Sequence, residues 1–488
     1  MTRIDDTIFA EDNAFLNFMD IIEGGKEKFV LATEVQDACF PAKLSVNNDG
    51  TFNMAFTVPE NFSEKVSSEF FFTHHCVLTT KGMNILVQNK DIHQFEQQLV
   101  CKEGGHETHL TLVSFRTDMS NELWSNSKQV AFCSYSKEDY SAYRIGVNFD
   151  LTTLTDQNSS WRNAVKLEIN KKIFILYFVI TNNKRRYMIL KSQRDVNHDF
   201  FLEVLECVRS AIGLLSGYYI ADSVWYMSMQ PHQKESLTFR YEKLGLSIYN
   251  QHPLLDSGLY KDCPENERKL SAIQFEKLVL LFYNSPEMRR SAQILIQAGN
   301  ISGLSKGSLA AVALETIKSK IINDKEEKTS LISDKMIRSQ FRYELLKVLK
   351  KFKDRFDKNL YKRLESKLGQ IDQPSNAERL EAPFESLGIE LTSDEMYCLS
   401  CRNSFLHGFT IKPQGEFYQL LSQTELANII SNRLIMLTTM LILKKCGYTG
   451  KVVDWGYTEI VKWRAVYAMK SIKGYGNAFR DIIKPNEV

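Results

Sequence analysis

One stretch decides the helical half of this chain of 488 residues: Ser422 to Gly447, which reads SQTELANIISNRLIMLTTMLILKKCG. Ser422 and Glu425 have the spacing of a capping box, in which each side chain accepts a hydrogen bond from the other residue's backbone N–H. Gly447 is suited to the left-handed conformation that ends many helices. Apolar residues recur between these ends at helical spacing: Leu426, Ile429, Ile430, Leu434, Leu437 and Leu441. The stretch therefore predicts one long helix.

A second helix is delimited in the same way just before the first. Thr392 and Glu395 have capping-box spacing and Gly408 is a C-terminal stop, so we predict a helix from about Ser393 to His407. Two earlier segments carry apolar stripes at helical spacing: Leu309, Val312, Ala313, Ile317 and Ile321, and then Ile337, Phe341, Leu345, Val348, Leu349, Phe352 and Phe356. Several helices with short links predict an α-helical bundle over residues 265 to 447.

The first two hundred residues have the pattern of short strands instead. Their β-branched and aromatic runs are bounded by Asn, Asp, Gly and Ser: Phe29 to Thr33, Phe52 to Val58, His109 to Phe115, Tyr143 to Phe149, Ile173 to Ile180 and Tyr187 to Leu190. Asn182-Asn183 is a hairpin turn candidate between the last two runs. Strands at such spacing predict an antiparallel sandwich or barrel-like domain.

The period changes from strand to helix at about His198, where one helical face carries Phe201, Leu205, Val208, Ile212 and Leu215. Residues 227 to 264 hold three of the ten prolines and predict a loop-rich connection. We therefore predict the α+β class, with an N-terminal antiparallel β-rich domain over 1–196, a helix and loop-rich connection over 197–264, and a C-terminal α-helical bundle over 265–488. Trp455 and Trp463 predict that the bundle ends in an extension packed on its surface.

Composition limits the compartment and the partners. The net charge is +2, so any nucleic-acid binding must use a local patch. Nine cysteines are an odd number scattered along the chain, which argues against a disulfide framework and for a reducing compartment. Met1 to Asp20 is acidic without an apolar signal core, and the longest apolar run, Leu434 to Leu443, is too short to span a bilayer. We expect a cytoplasmic protein with no membrane partner.

The chemistry of the chain concentrates in Arg402-Asn403-Ser404-Phe405-Leu406-His407, at the end of the predicted helix 393–407. Arginine binds phosphate and histidine moves protons, so the two suffice for metal-free RNA cleavage by the 2′-hydroxyl. His407 can act as base or acid, Arg402 can neutralise the phosphorane, and Asn403 can hold the imidazole or the phosphate. Asn403 and His407 share a helical face, and Arg402, one residue before Asn403, lies on the adjacent face.

One histidine cannot easily carry out both proton transfers of such a cleavage. Two copies of the motif facing each other across a dimer axis would do so, which predicts a homodimer with a shared site. Met396, Leu399 and Leu406 are candidates to anchor the helix to the bundle. The alternative is purely structural: His407 caps a helix end and Arg402 makes a surface ion pair.

The pattern Arg402-Asn403-x-x-x-His407 on a late helix of an α-bundle resembles the signature of HEPN domains. The order of a β-rich region followed by the bundle resembles the ApeA type in particular. The resemblance implies that Arg402, Asn403 and His407 are the catalytic residues of a metal-independent, dimeric endoribonuclease. Its products would carry a 2′,3′-cyclic phosphate and a 5′-hydroxyl.

The same resemblance implies a role in bacterial anti-phage defence by abortive infection. RNA, with tRNA as a candidate, would be the substrate, a phage component would be the activator, and the β domain would act as sensor. Some HEPN domains bind or scaffold without catalysis. The alternative is therefore a non-catalytic HEPN scaffold whose β domain senses a protein partner.

A basic segment is the second candidate for RNA contact. Lys347 to Lys367 carries nine Lys or Arg against three acids, and a helix so biased can follow an RNA backbone. The candidate contact residues are Lys347, Lys350, Lys351 and Lys353. The alternative is a solvated outer face, with Leu349, Phe352 and Phe356 on the buried one.

Two further features are left outside the site. Cys398-x-x-Cys401 lacks the second pair of ligands that a zinc site needs, so we interpret it as two buried helix cysteines and predict neither a metal nor a cofactor. Glu315 lies beside the small residues Ala310, Ala311 and Ala313. We interpret it as an exposed helix carboxylate.

Overall fold

A computed structural model describes residues 15, 18–19, 22, 29–33, 39–47, 49–60, 75–80, 83–100, 105–117, 124–135, 164–180, 185–229, 237–245, 247–249, 253–255, 269–322, 332, 334–369, 376–466 and 479–483. The chain divides into two compact units. The first comprises Met1–Asn250, Asp256–Leu259 and Lys269–Asn284, and the second comprises Gln251–Leu255, Tyr260–Arg268 and Ser285–Val488.

The first unit is built on antiparallel strands: β1 (Phe29–Thr33), β2 (Cys39–Val46), β3 (Phe52–Pro59), β4 (Cys76–Thr80), β5 (Met83–Val87), β6 (Ile92–Val100), β7 (Gly105–Leu112), β8 (Ser114–Arg116), β9 (Lys128–Ser134), β10 (Ala164–Ile169), β11 (Lys172–Ile180), β12 (Arg186–Ser192), β13 (Tyr218–Tyr219), β14 (Ser223–Met229), β15 (Leu237–Lys243) and β16 (Ile248–Tyr249). Among the described residues, fourteen of them join in one sheet, in the order β10-β11-β12-β9-β14-β15-β8-β5-β4-β1-β2-β3-β7-β6. The predicted N-terminal antiparallel β region is confirmed.

The long sheet folds over on itself around an aromatic core. The Phe52 ring of β3 lies 5.7 Å from the Trp225 ring of β14 and 4.8 Å from the Tyr241 ring of β15, although these strands are far apart in the sheet order. Phe15 stacks on Phe132 with ring centroids 3.8 Å apart. Facing parts of one curved sheet therefore supply both sides of the core.

Several strand predictions fall on observed strands, namely those at β1, β3, β11 and β12. The run His109 to Phe115 covers the end of β7 and most of β8. Tyr143 to Phe149 and the turn at Asn182-Asn183 lie outside the described residues. The predicted loop-rich connection 227–264 contains β15, whose apolar Phe239 and Tyr241 alternate with polar residues in the period of a strand.

A helix, α1 (His198–Ser216), follows the strands where the period changes. The Asn197 side chain accepts hydrogen bonds from Asp199 and Phe200 N–H, and Gly217 ends the helix at φ 70°. The predicted stripe from Phe201 to Leu215 is buried. A further helix, α2 (Ala272–Asn284), also belongs to the first unit, although the sequence predicted that the bundle starts at residue 265.

The second unit is mainly helical. Its elements are α3 (Pro286–Ala298), α4 (Gly303–Ile321), α5 (Lys335–Lys350), α6 (Lys358–Gly369), α7 (Asn376–Ser386), α8 (Ser393–His407), α9 (Glu416–Gln419), α10 (Gln423–Lys445), β17 (Lys451–Val453), α11 (Trp455–Val466) and β18 (Phe479–Asp481). Both predicted capping boxes form, at Thr392 and at Ser422. Gly408 and Gly447 adopt positive φ after the two helices. A helical region after the β region is thus confirmed.

Helix α10 forms the centre of this unit. By length and composition it could cross a membrane, but 94% of its most apolar window is buried inside the protein. Its buried face includes Leu426, Ile430, Leu434 and Leu441. Burial on this scale is expected of a core helix.

The hairpin of α5 and α6 departs from the predicted burial. Of the predicted apolar stripe, Leu349 is buried, whereas Phe341 is 43% and Val348 is 51% exposed. Phe352, expected on the buried face, is also exposed. The two helices pack against each other. Periodicity showed correctly which face is apolar, but it carries no information about what covers that face.

Candidate functional site

The last turns of α8 carry the motif predicted to be catalytic. The helix starts at Thr392, whose Oγ1 accepts a 3.1 Å hydrogen bond from Glu395 N–H. It ends where the N–H groups of Gly408 and Phe409 both donate to Ser404 O. This termination places His407 at the C-terminal end of the helix, with its side chain exposed. Local capping therefore sets the position of the motif along the helix.

Arg402 is held by a carboxylate from the neighbouring helix α4. Its Nε lies 2.8 Å from Glu315 Oε1, and the two side chains are 12% and 28% exposed. The N–H does not point at that oxygen closely enough for a hydrogen bond, so the contact is an ion pair. Lys318 Nζ lies 2.5 Å from the other Glu315 oxygen. The sequence predicted Glu315 to be an exposed carboxylate, whereas it is partly buried and pairs with Arg402 at the candidate site. The small residues beside it in the sequence indicated that a neighbouring helix could approach closely.

Helices α4 and α8 approach closely because one residue at their contact has no side chain. A Cβ on Gly307 would overlap the ring of Phe405. Ser308 Oγ donates a 3.0 Å hydrogen bond to Phe405 O. Ser308 faces Phe405 while Glu315 faces Arg402, so the two helices run antiparallel. The glycine contact brings Glu315 within reach of Arg402.

Asn403 and His407 remain together on one face of α8, but Arg402 does not join them. His407 lies five positions after Arg402, which places the two side chains about 140° apart around the helix. Within the part of the chain that the structure describes, neither Asn403 nor His407 makes a side-chain hydrogen bond. The His407 ring contacts Phe409, with centroids 5.6 Å apart. The motif is therefore split between an anchored arginine and two side chains open to a partner.

Exposed apolar side chains lie on the two helices that carry the motif and its ion pair. Leu304 and Val312 on α4 and Met396, Leu406 and Phe409 on or after α8 are all exposed, Phe409 by 62%. The sequence predicted that Met396 and Leu406 anchor α8 to the bundle, and this is wrong. Leu399 is buried as predicted. The buried apolar side chains that hold α8 in the bundle include Cys398, Cys401 and Phe405.

A cavity of about 500 Å³ opens beside the motif. Its lining includes Ser400 and Ser404 of α8, and Tyr397, Phe409 and Lys412. Tyr397 donates a 2.8 Å hydrogen bond from its hydroxyl to Lys412 O, which holds the following loop against the helix. The cavity thus adjoins His407 through Phe409.

The start of α8 is clamped by the C-terminal strand β18. Arg480 places Nε 2.9 Å and Nη2 3.2 Å from the two oxygens of Glu395, and both side chains are buried. The same Glu395 accepts from Thr392 N–H in the capping box. Trp455 Nε1 donates to Pro253 O within this unit, whereas the Trp463 side chain lies outside the described residues. The predicted extension therefore takes part in positioning the motif helix.

The two cysteines before Arg402 are buried on α8. Burial raises the pKa of the Cys398 thiol to about 12. No group of three or more His, Cys, Asp or Glu suited to a metal occurs among the described residues. Both cysteines are packed as small apolar side chains.

The four lysines proposed to contact RNA lie on a separate part of the unit, at the end of α5 and in the turn after it. Lys347, Lys350, Lys351 and Lys353 are all exposed. Lys347 lies 3.9 Å from Glu344. The described structure joins none of them to the Arg402 motif by an ion pair or a hydrogen bond. Nearby, the guanidinium of Arg355 lies over the Phe352 ring at 5.7 Å.

Comparisons of the chain with family models, with curated proteins and with solved structures found no match.

Proposed function

We propose that the chain is a metal-independent RNA endonuclease with a dimeric site of the HEPN type. The observation that carries the proposal is the pairing of Arg402 with Glu315, beside a half-buried Asn403 and an exposed His407 at the end of the same helix. This set supplies a fixed cation for phosphate and a mobile proton donor or acceptor. Those are the groups that cleavage by a 2′-hydroxyl needs.

Glu315 orients the guanidinium for that role. Because the carboxylate engages the Nε side of Arg402, the terminal nitrogens are the ones left to bind two phosphate oxygens. A fixed guanidinium loses less freedom when the phosphorane forms, so more of its charge acts on the transition state. Arg402 is the phosphate-binding residue in this scheme.

His407 supplies the proton transfers. One copy removes the proton of the 2′-hydroxyl, whose oxygen attacks the phosphorus. The bond to the 5′-oxygen then breaks, and the partner's His407 protonates that oxygen. The products are a 2′,3′-cyclic phosphate and a 5′-hydroxyl, and the protons balance between the two imidazoles. Asn403, on the same face as His407, positions the phosphate or the imidazole.

A second copy of the chain is the natural cover for the apolar side chains around the motif. A closed two-fold interface brings the same surface of both copies together, so α8 would face α8. Leu304, Val312, Leu406 and Phe409 lie beside the motif and are exposed in one chain. Burying them would join two half-sites, each with its own Arg402 and His407.

Phe409 offers a surface for an unpaired RNA base. Its ring is largely exposed, contacts His407 and lines the cavity with Tyr397 and Lys412. Proteins commonly recognise single-stranded RNA by stacking splayed bases on aromatic rings. An unpaired loop, such as a tRNA loop, is therefore the proposed kind of substrate.

The β unit is the proposed control element. Unregulated cleavage of cellular RNA would be toxic, so the activity needs a trigger. We assign that role to a phage component sensed by the sheet-containing unit, as in anti-phage defence by abortive infection. The non-catalytic alternative keeps the same dimer and uses the β unit to bind a protein partner.

The decisive assay incubates the purified chain with total bacterial RNA in excess EDTA, with and without lysate from phage-infected cells treated to remove its own ribonuclease activity. We compare wild type with Arg402→Ala and His407→Ala, and use His75→Ala as a control that removes an exposed histidine of the β unit. Wild type and the control should cleave and leave 5′-hydroxyl ends, and the two motif variants should not.

Three outcomes oppose the proposal: cleavage that EDTA abolishes, cleavage that persists in both motif variants, or no cleavage by wild type in either arm. The last outcome, together with a His407→Ala dimer that melts at a lower temperature, would favour the scaffold function instead.

A further inference from the structure

A second site lies at the start of α4, where the side chain of Lys306 is 4% exposed. Its ammonium group makes no hydrogen bond or ion pair within the described residues. It lines a cavity of about 390 Å³. A buried lysine is normally paired, because removing an ammonium from water is costly. An unpaired one that faces a cavity is therefore suited to bind an anion.

The helix terminus increases the need for negative charge at this point. Lys306 belongs to the first turn of α4, where the helix dipole is positive. The N-cap residue, Ser302, makes no side-chain cap hydrogen bond. The turn is held instead by Gly303 N–H, which donates to Asn428 Oδ1 at 2.6 Å. A cation at the positive end of a helix is unfavourable unless an anion lies beside both.

The carboxylates around the cavity do not supply that anion. Glu425 is engaged by Ser422 N–H at 2.7 Å in the α10 capping box. Glu459 lies 3.6 Å from Lys462, at the rim of the same cavity. Neither carboxylate is within ion-pair distance of Lys306. Burial also lowers the pKa of Lys306 to about 8, with Glu459 opposing the shift.

We propose that this cavity binds the phosphate group of a small ligand of the mononucleotide class. Lys306 and the first turn of α4 would hold the phosphate oxygens. Three amide side chains, those of Asn300, Asn428 and Asn432, line the remaining space and can hydrogen-bond a sugar or a base. The volume lies within the usual range for small-molecule sites. The proposal does not depend on RNA cleavage, since none of these residues belongs to the motif of α8.

The test is calorimetric titration of the full chain near neutral pH with three probes: inorganic phosphate, adenosine monophosphate and adenosine. The variants are Lys306→Met and, as the matched control, Lys320→Met on the exposed C-terminal turn of the same helix. Wild type and the control should bind both phosphate-bearing probes and not adenosine. Lys306→Met should bind them at least about tenfold more weakly, because it loses a charge-assisted hydrogen bond.

The probes also distinguish the two sources of phosphate. Tighter binding of the nucleotide than of inorganic phosphate supports the mononucleotide class. Equal affinity for the nucleotide and for inorganic phosphate would mean that the cavity binds phosphate alone. The three amide side chains would then not bind a sugar or a base. Unchanged binding by a folded Lys306→Met, or no binding of either phosphate probe by wild type, overturns the proposal. Thermal melting of each variant establishes that it is folded.

Discussion

Arg402 Nε lies 2.8 Å from Glu315 Oε1, so the motif helix α8 and its neighbour α4 are joined by an ion pair at the candidate site. If this pair orients the guanidinium, Glu315→Gln should slow RNA cleavage by up to about 10²-fold, because small displacements of a catalytic group cost rate on that scale. Single-turnover cleavage assays measure the effect. Glu287→Gln, which alters an exposed pair with Lys320, is the control. A wild-type rate for Glu315→Gln would restrict Glu315 to a structural role.

Gly307→Ala should separate α4 from α8, since the added Cβ would overlap the Phe405 ring. Overpacking of this kind costs typically about 1–3 kcal/mol, which urea unfolding can resolve. Gly369→Ala is the matched control, because a Cβ there meets nothing within 4 Å. The double variant Gly307→Ala with Phe405→Leu should recover part of the loss. Equal stability of the two alanine variants would contradict the close contact.

Arg480→Met should strongly destabilise the second unit. It would leave the buried Glu395 carboxylate without its partner, and breaking a buried pair typically costs about 3–5 kcal/mol. Glu395→Gln keeps an oxygen for the capping box and so tests the ion pair separately from the cap. Chemical denaturation of both single variants and of the double variant gives the coupling energy. Additive effects would mean that the two side chains do not depend on each other.

Lys306→Met should make the protein more stable at neutral pH. Burial lowers the pKa of Lys306 from the usual lysine value of 10.5 to about 8 in the folded state. Below pH 8 the buried charge therefore lowers the free energy of unfolding by about 3 kcal/mol. Between these values the unfolded chain binds more protons, so wild-type stability rises with pH. The advantage of the variant should therefore shrink by pH 10 in paired urea unfolding curves. Glu425, Glu459 and Lys462 also face the cavity and are unchanged in both proteins. If Lys306→Met is less stable than wild type at pH 7, the charged Lys306 does not destabilise the folded protein, and the prediction is wrong.

The basic turn after α5 should contribute salt-dependent RNA affinity. Replacing Lys347, Lys350, Lys351 and Lys353 with alanine removes four exposed charges. If all four contact phosphates of a single strand, the slope of log affinity against log salt should fall by about 3. Fluorescence anisotropy with a labelled RNA gives the slope. The control is Lys444→Ala with Lys445→Ala at the end of α10. An unchanged slope would leave these lysines as a solvated surface.

Sequence predicted the ends of α8 and α10 closely because caps are local. Thr392 and Glu395 satisfy each other's backbone groups within one turn, and Gly408 needs only its own left-handed conformation. The prolines of 227–264 predict a loop-rich connection, whereas the alternation of apolar and polar residues over Leu237–Lys243 is that of the strand β15. The stripe on α5 was recognised, yet its exposure could not be, since covering a face requires another element.

The sequence by itself determined the ends of α8 and α10, the positions of several strands, and which residues of α8 carry the candidate chemistry. Hydrogen bonds within a turn and the periods of 3.6 and 2 residues are written in neighbouring positions. Only the tertiary structure decided that Arg402 meets Glu315 and that Arg480 clamps Glu395. It also decided that Lys306 is buried with no ion-pair partner among the residues that the structure describes. Each of these depends on how closely packed elements approach, and at the contact of α4 with α8 the absence of a side chain at Gly307 permits that approach.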